Sequence, residues 1–143
     1  MLSLDALISG GILLLWLVLF CYALVNSAPE KILLSTAAMV LSFAVNTLLK
    51  LLFRRERPRE IDCRSRRFYI GVQRYSFPSA HVQLAFTALA LVRELLPGLY
   101  QEALILAIAT ALSRLYLGKH HPGDVLAGAA LGYATGYLFA TML

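Results

Sequence analysis

Residues 113–124 read Ser113-Arg114-Leu115-Tyr116-Leu117-Gly118-Lys119-His120-His121-Pro122-Gly123-Asp124, a polar stretch set between two apolar runs, 100–117 and 122–143. Ionisable side chains are costly at the edge of a membrane segment, so a cluster of them there points to function. The stretch therefore marks both a helix boundary and a candidate site. Arg114, His120 and Asp124 bring the chemistry, and the apolar runs on either side set the fold class.

Of the 143 residues, 59% are apolar and the mean hydropathy is +0.72. These values lie well above soluble-domain composition, and they imply an all-α integral membrane helical bundle forming one domain over residues 1–143. The formal charge of +5 is concentrated: eight arginines lie from Arg54 to Arg74, with Glu56, Glu60 and Asp62 among them. An arginine run hemmed by apolar segments suits a phosphorylated membrane lipid or the bilayer surface, and no nucleic-acid partner is expected. Cys21 and Cys63 imply no disulfide scaffold. Residues 12–19 have the length of a signal-peptide core, but Asp5 stands where a basic leader would be, so the segment reads as a retained helix.

Five stretches meet or approach the roughly 20 residues of a spanning helix: 4–25, 31–53, 79–96, 100–117 and 122–143. Pro29, Pro97-Gly98 and Pro122-Gly123 punctuate them as helix ends should be punctuated. Residues 54–77 are too polar to span, and are expected to lie along the interface with Phe68, Tyr69, Ile70 and Tyr75 dipping into lipid. Five crossings would deliver Lys50, this loop, Ser79, His81, Arg114, His120 and Asp124 to one side. Gly128, Gly132 and Gly136 recur every four residues, a face suited to close helix packing within the chain, with a homo-oligomer contact as the alternative.

Three groupings carry chemistry. Lys50 and Arg57 are seven apart and share one stripe if helix continues past Phe53, with Pro58 ending the segment; a basic cap on a spanning helix reads the same way. Ser79 is placed as an N-cap in Phe77-Pro78-Ser79-Ala80-His81, where first-turn amides form a natural phosphate cradle within reach of His81. A plain helix start with an interfacial histidine fits as well. In the third grouping, Arg114 offers a fork suited to phosphate, and Asp124 can take the N–H of an imidazole four residues earlier. Metal ligation is the rival there, although no third ligand falls at a helical spacing.

Taken together, Lys50 to Arg57-Pro58, Pro78-Ser79-Ala80-His81 and Ser113-Arg114 to His120 to Asp124 resemble the tripartite pattern of the type 2 phosphatidic acid phosphatase superfamily. That pattern is Lys-x6-Arg-Pro, Pro-Ser-Gly-His and Ser-Arg-x5-His-x3-Asp. The order and both long spacings hold over about half the chain. One position departs: Ala80 stands where the family usually has glycine, which keeps the amide but adds a Cβ beside the cradle. The chain also reads as one helix shorter than the six typical of membrane members.

The resemblance implies a membrane lipid phosphatase working through a phosphohistidine. His120 is the nucleophile, Asp124 orients it, and His81 is general acid and then base. Lys50, Arg57, Ser79, Ala80 and Arg114 hold the phosphate oxygens, with Ser113 and Pro58 in support. No metal or other cofactor is expected with so many fixed cations. His121 has no implied role. Polyprenyl diphosphates of the undecaprenyl kind and diacyl lipids such as phosphatidic acid or phosphatidylglycerol phosphate both fit as substrates. A lipid phosphotransferase and a non-catalytic lipid-binding module remain as alternatives. The positive-inside rule puts the site on the cytoplasmic face, whereas the resemblance implies the outer face.

Overall fold

A computed structural model of the protein describes residues 28–58 and 71–143 and, before them, Trp16, Leu17, Cys21, Tyr22 and Val25. Most of the expected first span, residues 4–25, lies outside the described residues. So do residues 59–70, with four of the loop arginines, Cys63, and Phe68, Tyr69 and Ile70, for which an interfacial place was expected.

Four α-helices and two short 3-10 turns make up the described chain: α1 (Pro29–Phe53), a turn at Gly71–Arg74, α2 (Ala80–Leu95), a turn at Pro97–Leu99, α3 (Tyr100–Tyr116) and α4 (Pro122–Ala140). Each helix starts or stops where local chemistry dictates. Pro29 and Pro122 occupy the first position of α1 and α4, where a missing N–H costs nothing. Among the described helices, α1 is the one both long and apolar enough to cross a membrane. α2 and α3, at 16 and 17 residues, reach only about 24–26 Å at 1.5 Å per residue, short of a hydrocarbon core of about 30 Å.

α2 is the central helix. One side buries Ala85, Leu89 and Val92 against Ala103 and Ala107 of α3, with Trp16 and Tyr133 packed alongside. A second side meets α4 at its glycines. A methyl group at Gly132 would fall on the carbonyl of Gln83, and one at Gly136 on that of Thr87, so the two backbones are in direct contact. Lipid offers no hydrophobic drive to hold helices together, and close approach of backbones supplies van der Waals contact in its place. The glycine face of Gly128, Gly132 and Gly136 is thus occupied by α2 of the same chain, the close packing within the chain that the four-residue spacing led us to expect.

The third side of α2 meets α1 through polar groups. Ser35, Ala38, Ser42, Asn46 and Lys50 form the buried stripe of α1. Asn46 donates its Nδ2 to Gln83 Oε1 at 2.8 Å and to the Pro78 carbonyl at 3.2 Å. Gln83 Nε2 donates to the Ser42 carbonyl at 2.8 Å, and the hydroxyls of Ser42 and Thr87 pair at 2.8 Å. Buried polar groups without partners are heavily penalised in an apolar interior, so this ladder fixes the register of α1 on α2. It also ties down Pro78, one residue before Ser79.

Candidate active site

α1 does not continue to Arg57. It ends at Phe53, and Arg54 takes a left-handed conformation (φ 47°) whose amide closes back on the Lys50 carbonyl. The expected shared stripe is therefore absent. The chain turns and brings Arg57 back across the bundle, where its Nη1 donates to the Lys119 carbonyl at 3.0 Å and stands 3.4 Å from His120 Nε2. Arg54 points away, exposed, its Nε on the Leu51 carbonyl at 3.0 Å.

Lys50, only 1% exposed, donates its Nζ to the Tyr75 carbonyl at 2.7 Å. The next residue, Ser76, is fully buried and binds in three directions. Its amide donates to the Arg55 carbonyl at 2.8 Å, and its hydroxyl reaches the carbonyls of Arg55 at 3.2 Å and Glu56 at 2.9 Å. Its own carbonyl lies 2.8 Å from Nδ1 of His120. A carbonyl oxygen only accepts, so Nδ1 carries the proton and the ring's lone pair sits on Nε2, facing Arg57.

Asp124 is placed differently from the sequence expectation. Its Oδ2 stands 3.8 Å from His120 Nδ1, beyond hydrogen-bond reach. Oδ1 takes Arg55 Nη1 at 3.0 Å, and Oδ2 takes the His121 amide at 2.8 Å. The reason is local: His121 is the N-cap of α4, so the four-residue interval crosses a helix boundary, and the carboxylate satisfies an open helix-end amide.

The cradle also shifts by one residue. Ser79 is the N-cap of α2 without a side-chain cap bond, and its amide donates to the Asp124 carbonyl at 3.0 Å. The first bond of α2 runs from the Gln83 amide to the Ser79 carbonyl, which makes the first-turn amides from Ala80 onward, rather than that of Ser79, the end suited to an anion. Ser79 Oγ is buried with no hydrogen-bond partner among the described residues. His81 follows on the first turn of α2 and is exposed. Arg114 is buried, its Nε on Ser113 Oγ at 3.2 Å, and Ser113 donates to the Thr110 carbonyl at 2.7 Å. Pro58 is exposed.

Electrostatics follow from this placement. Burial first, then the charges of Arg57 and Lys50, push the His120 imidazole down to about 3 from an ordinary 6.5, with His81 adding a smaller push in the same direction and the Ser76 bond opposing it. His120 is thus neutral at physiological pH. A buried neutral imidazole whose Nε2 lone pair faces the Arg57 guanidinium, among fixed cations, has the form of a nucleophile for an anionic electrophile.

The model of the family described as the PAP2 superfamily matches residues 31–143, from the start of α1 to the end of the chain. The chain belongs to the PAP2 superfamily. It is 36% identical over 110 residues to the decaprenylphosphoryl-5-phosphoribose phosphatase of Mycobacterium tuberculosis, covering 73% of this chain and 56% of that protein. It is also 36% identical over 69 residues to the lipid A 4'-phosphatase of Bacteroides thetaiotaomicron, covering 46% of this chain and 30% of that one. In fold it resembles the transmembrane PAP2 type phosphatidylglycerolphosphate phosphatase of Bacillus subtilis, with a TM-score of 0.69 at 25% identity over 94% of this chain and 69% of that one. The chain spans about half the length of the mycobacterial relative it matches.

Within this PAP2 chain, sequence reading missed Ser76 and Arg55. Ser76 works largely through its backbone, which leaves no side-chain pattern to find, and Arg55 is one arginine in a run of eight. The polar partners Asn46 and Gln83 were also missed, although Ser42, Asn46 and Lys50 recur every four residues on one helix face, a signal that was legible.

Proposed function

We propose that the protein is a multi-pass membrane phosphatase, forming one catalytic unit over residues 1–143, that removes a terminal phosphate from a lipid by way of a phosphohistidine. The observation that carries this reading is the neutral, buried His120, whose Nε2 lone pair faces the Arg57 guanidinium. In the first step, Nε2 attacks phosphorus in line, the N–P bond forms, and the P–O bond to the lipid breaks. His81 gives its proton to the departing oxygen. In the second step, His81 takes a proton from water, the water oxygen bonds to phosphorus, and the N–P bond breaks to return His120 and inorganic phosphate. Lys50, Arg57, Arg114, Ser79 Oγ and the Ala80 amide stabilise the charge on the oxygens that do not transfer.

Asp124 acts at longer range here, as a fixed negative charge that favours the imidazolium forming on His120. Burial of that charge strengthens the effect.

The substrate is a membrane lipid whose polar end carries the phosphate, of polyprenyl or diacyl type. The named relatives support this class, since a decaprenyl-linked phosphoribose, lipid A and phosphatidylglycerolphosphate all combine a lipid with a phosphate. A phosphate-release panel in detergent tests the reading, set across undecaprenyl diphosphate, phosphatidic acid, phosphatidylglycerol phosphate and a polyprenylphosphoryl phosphosugar. Turnover that survives chelators and is blocked by vanadate is expected for at least one of them. His120→Ala and His81→Ala should each cut turnover by about a thousandfold or more. Substantial activity in either variant would overturn the mechanism, and label appearing on a second lipid instead of in free phosphate would favour phosphotransfer.

A further inference from the structure

The structure assigns Ser76 as a positioning residue for the proposed reaction: its carbonyl fixes the tautomer of His120, and its amide and hydroxyl anchor that carbonyl to the segment bearing Arg57. The inference rests on the reading of His120 as nucleophile, but its geometry stands apart from it. Ser76 has no exposed surface, and its backbone and hydroxyl together bond to both of the other site segments. Its amide and Oγ bind the Arg55 carbonyl at 2.8 and 3.2 Å, and its Oγ binds the Glu56 carbonyl at 2.9 Å. Its carbonyl takes Nδ1 of His120 at 2.8 Å.

A neutral imidazole has one proton for two nitrogens, and the ring in water favours the Nε2–H form. That form is useless for attack through Nε2, because the lone pair is then on the wrong nitrogen. The Asp124 carboxylate, the obvious alternative holder, stands 3.8 Å away with its oxygens engaged by Arg55 and the His121 amide. A carbonyl at hydrogen-bond distance removes the ambiguity, and a neutral acceptor does so without making the ring markedly easier to protonate. Because Ser76 is pinned to residues 55 and 56, the same contact sets the position of His120 relative to Arg57, two residues further on.

The experiment is nitrogen NMR of the full-length protein labelled at histidine in detergent micelles, with His120→Gln to assign the His120 signals. Wild type is expected to show His120 protonated at Nδ1 alone. Ser76→Ala, which removes the hydroxyl bonds and loosens the carbonyl, should shift His120 towards the Nε2–H form and lower kcat by about ten- to a hundredfold with little change in KM. Ser76→Thr should restore both readouts, and Asp124→Ala should keep the Nδ1–H form. If Ser76→Ala does not fold, Ser76→Cys keeps the volume and weakens the two hydroxyl bonds, so the same shift is expected in smaller measure.

An Nε2–H signal in wild type would overturn the assignment, as would a tautomer unchanged in Ser76→Ala, or in Ser76→Cys where Ser76→Ala does not fold, or one lost in Asp124→Ala. The tautomer is read without substrate. A wild type inactive on every lipid phosphate would therefore sink the proposed function while leaving the role of Ser76 intact.

Discussion

Arg55 Nη1 lies 3.0 Å from Asp124 Oδ1 and joins a side chain that is 45% exposed to a carboxylate with no exposed surface. Among the described residues, removing the arginine leaves the buried charge with the His121 amide as its remaining hydrogen-bond partner. Solvent reaches the Arg55 head and screens the pair, so the cost falls below that of a fully buried ion pair.

Arg55→Gln should lower stability by about 1–2 kcal/mol, read as the shift in urea or thermal unfolding of the detergent-solubilised protein. Arg54→Gln, at an exposed position one residue earlier, should leave the transition in place. Equal shifts in the two variants would mean that the Arg55–Asp124 contact contributes nothing.

Stability should also depend on pH through His120. The unfolded chain protonates this ring as pH falls through 6.5, whereas the folded chain resists until about 3. Between those values the unfolded state binds more protons, so folding stability falls as pH drops from 6.5 towards 3 and is unaffected by this group above 6.5. The full effect is on the order of a few kcal/mol. Comparing unfolding midpoints at neutral and acidic pH, wild type should lose more than His120→Gln; parallel losses would show that the ring titrates normally. By the same logic, an acid limb of activity close to 6.5 would belong to a group other than His120.

Gly132 tests the contact between α2 and α4. A methyl there falls on the Gln83 carbonyl, which cannot move without parting the helices or disturbing the pairing of Gln83 with Asn46. Gly132→Ala should destabilise by about 1–3 kcal/mol, even though alanine is the better helix former by about 1 kcal/mol. A Cβ added at Gly98 meets nothing within 4 Å, so Gly98→Ala is the matched control. Thermal unfolding of the two variants side by side decides whether the glycine face is a packing surface.

The sequence by itself determined what depends on neighbours along the chain. Proline at the first turn places the starts of α1 and α4, and the expected bounds of all four described helices fall within three residues of those observed. The three spaced groupings were legible for the same reason, since a residue type at a fixed interval needs no knowledge of the fold. The interval between His120 and Asp124 misled because it crosses the start of α4, where helical geometry does not hold.

Only the tertiary structure decided which atoms meet. The bond from His120 to Ser76 joins residues 44 apart, and that from Arg55 to Asp124 joins residues 69 apart. Contacts at such separation leave no periodicity to read, and several of those that build the site end on backbone carbonyls, which every residue carries. The seat of each charge, the tautomer of His120 and the covering of the glycine face are therefore properties of packed helices, because they depend on which backbone groups the packing brings within 3 Å.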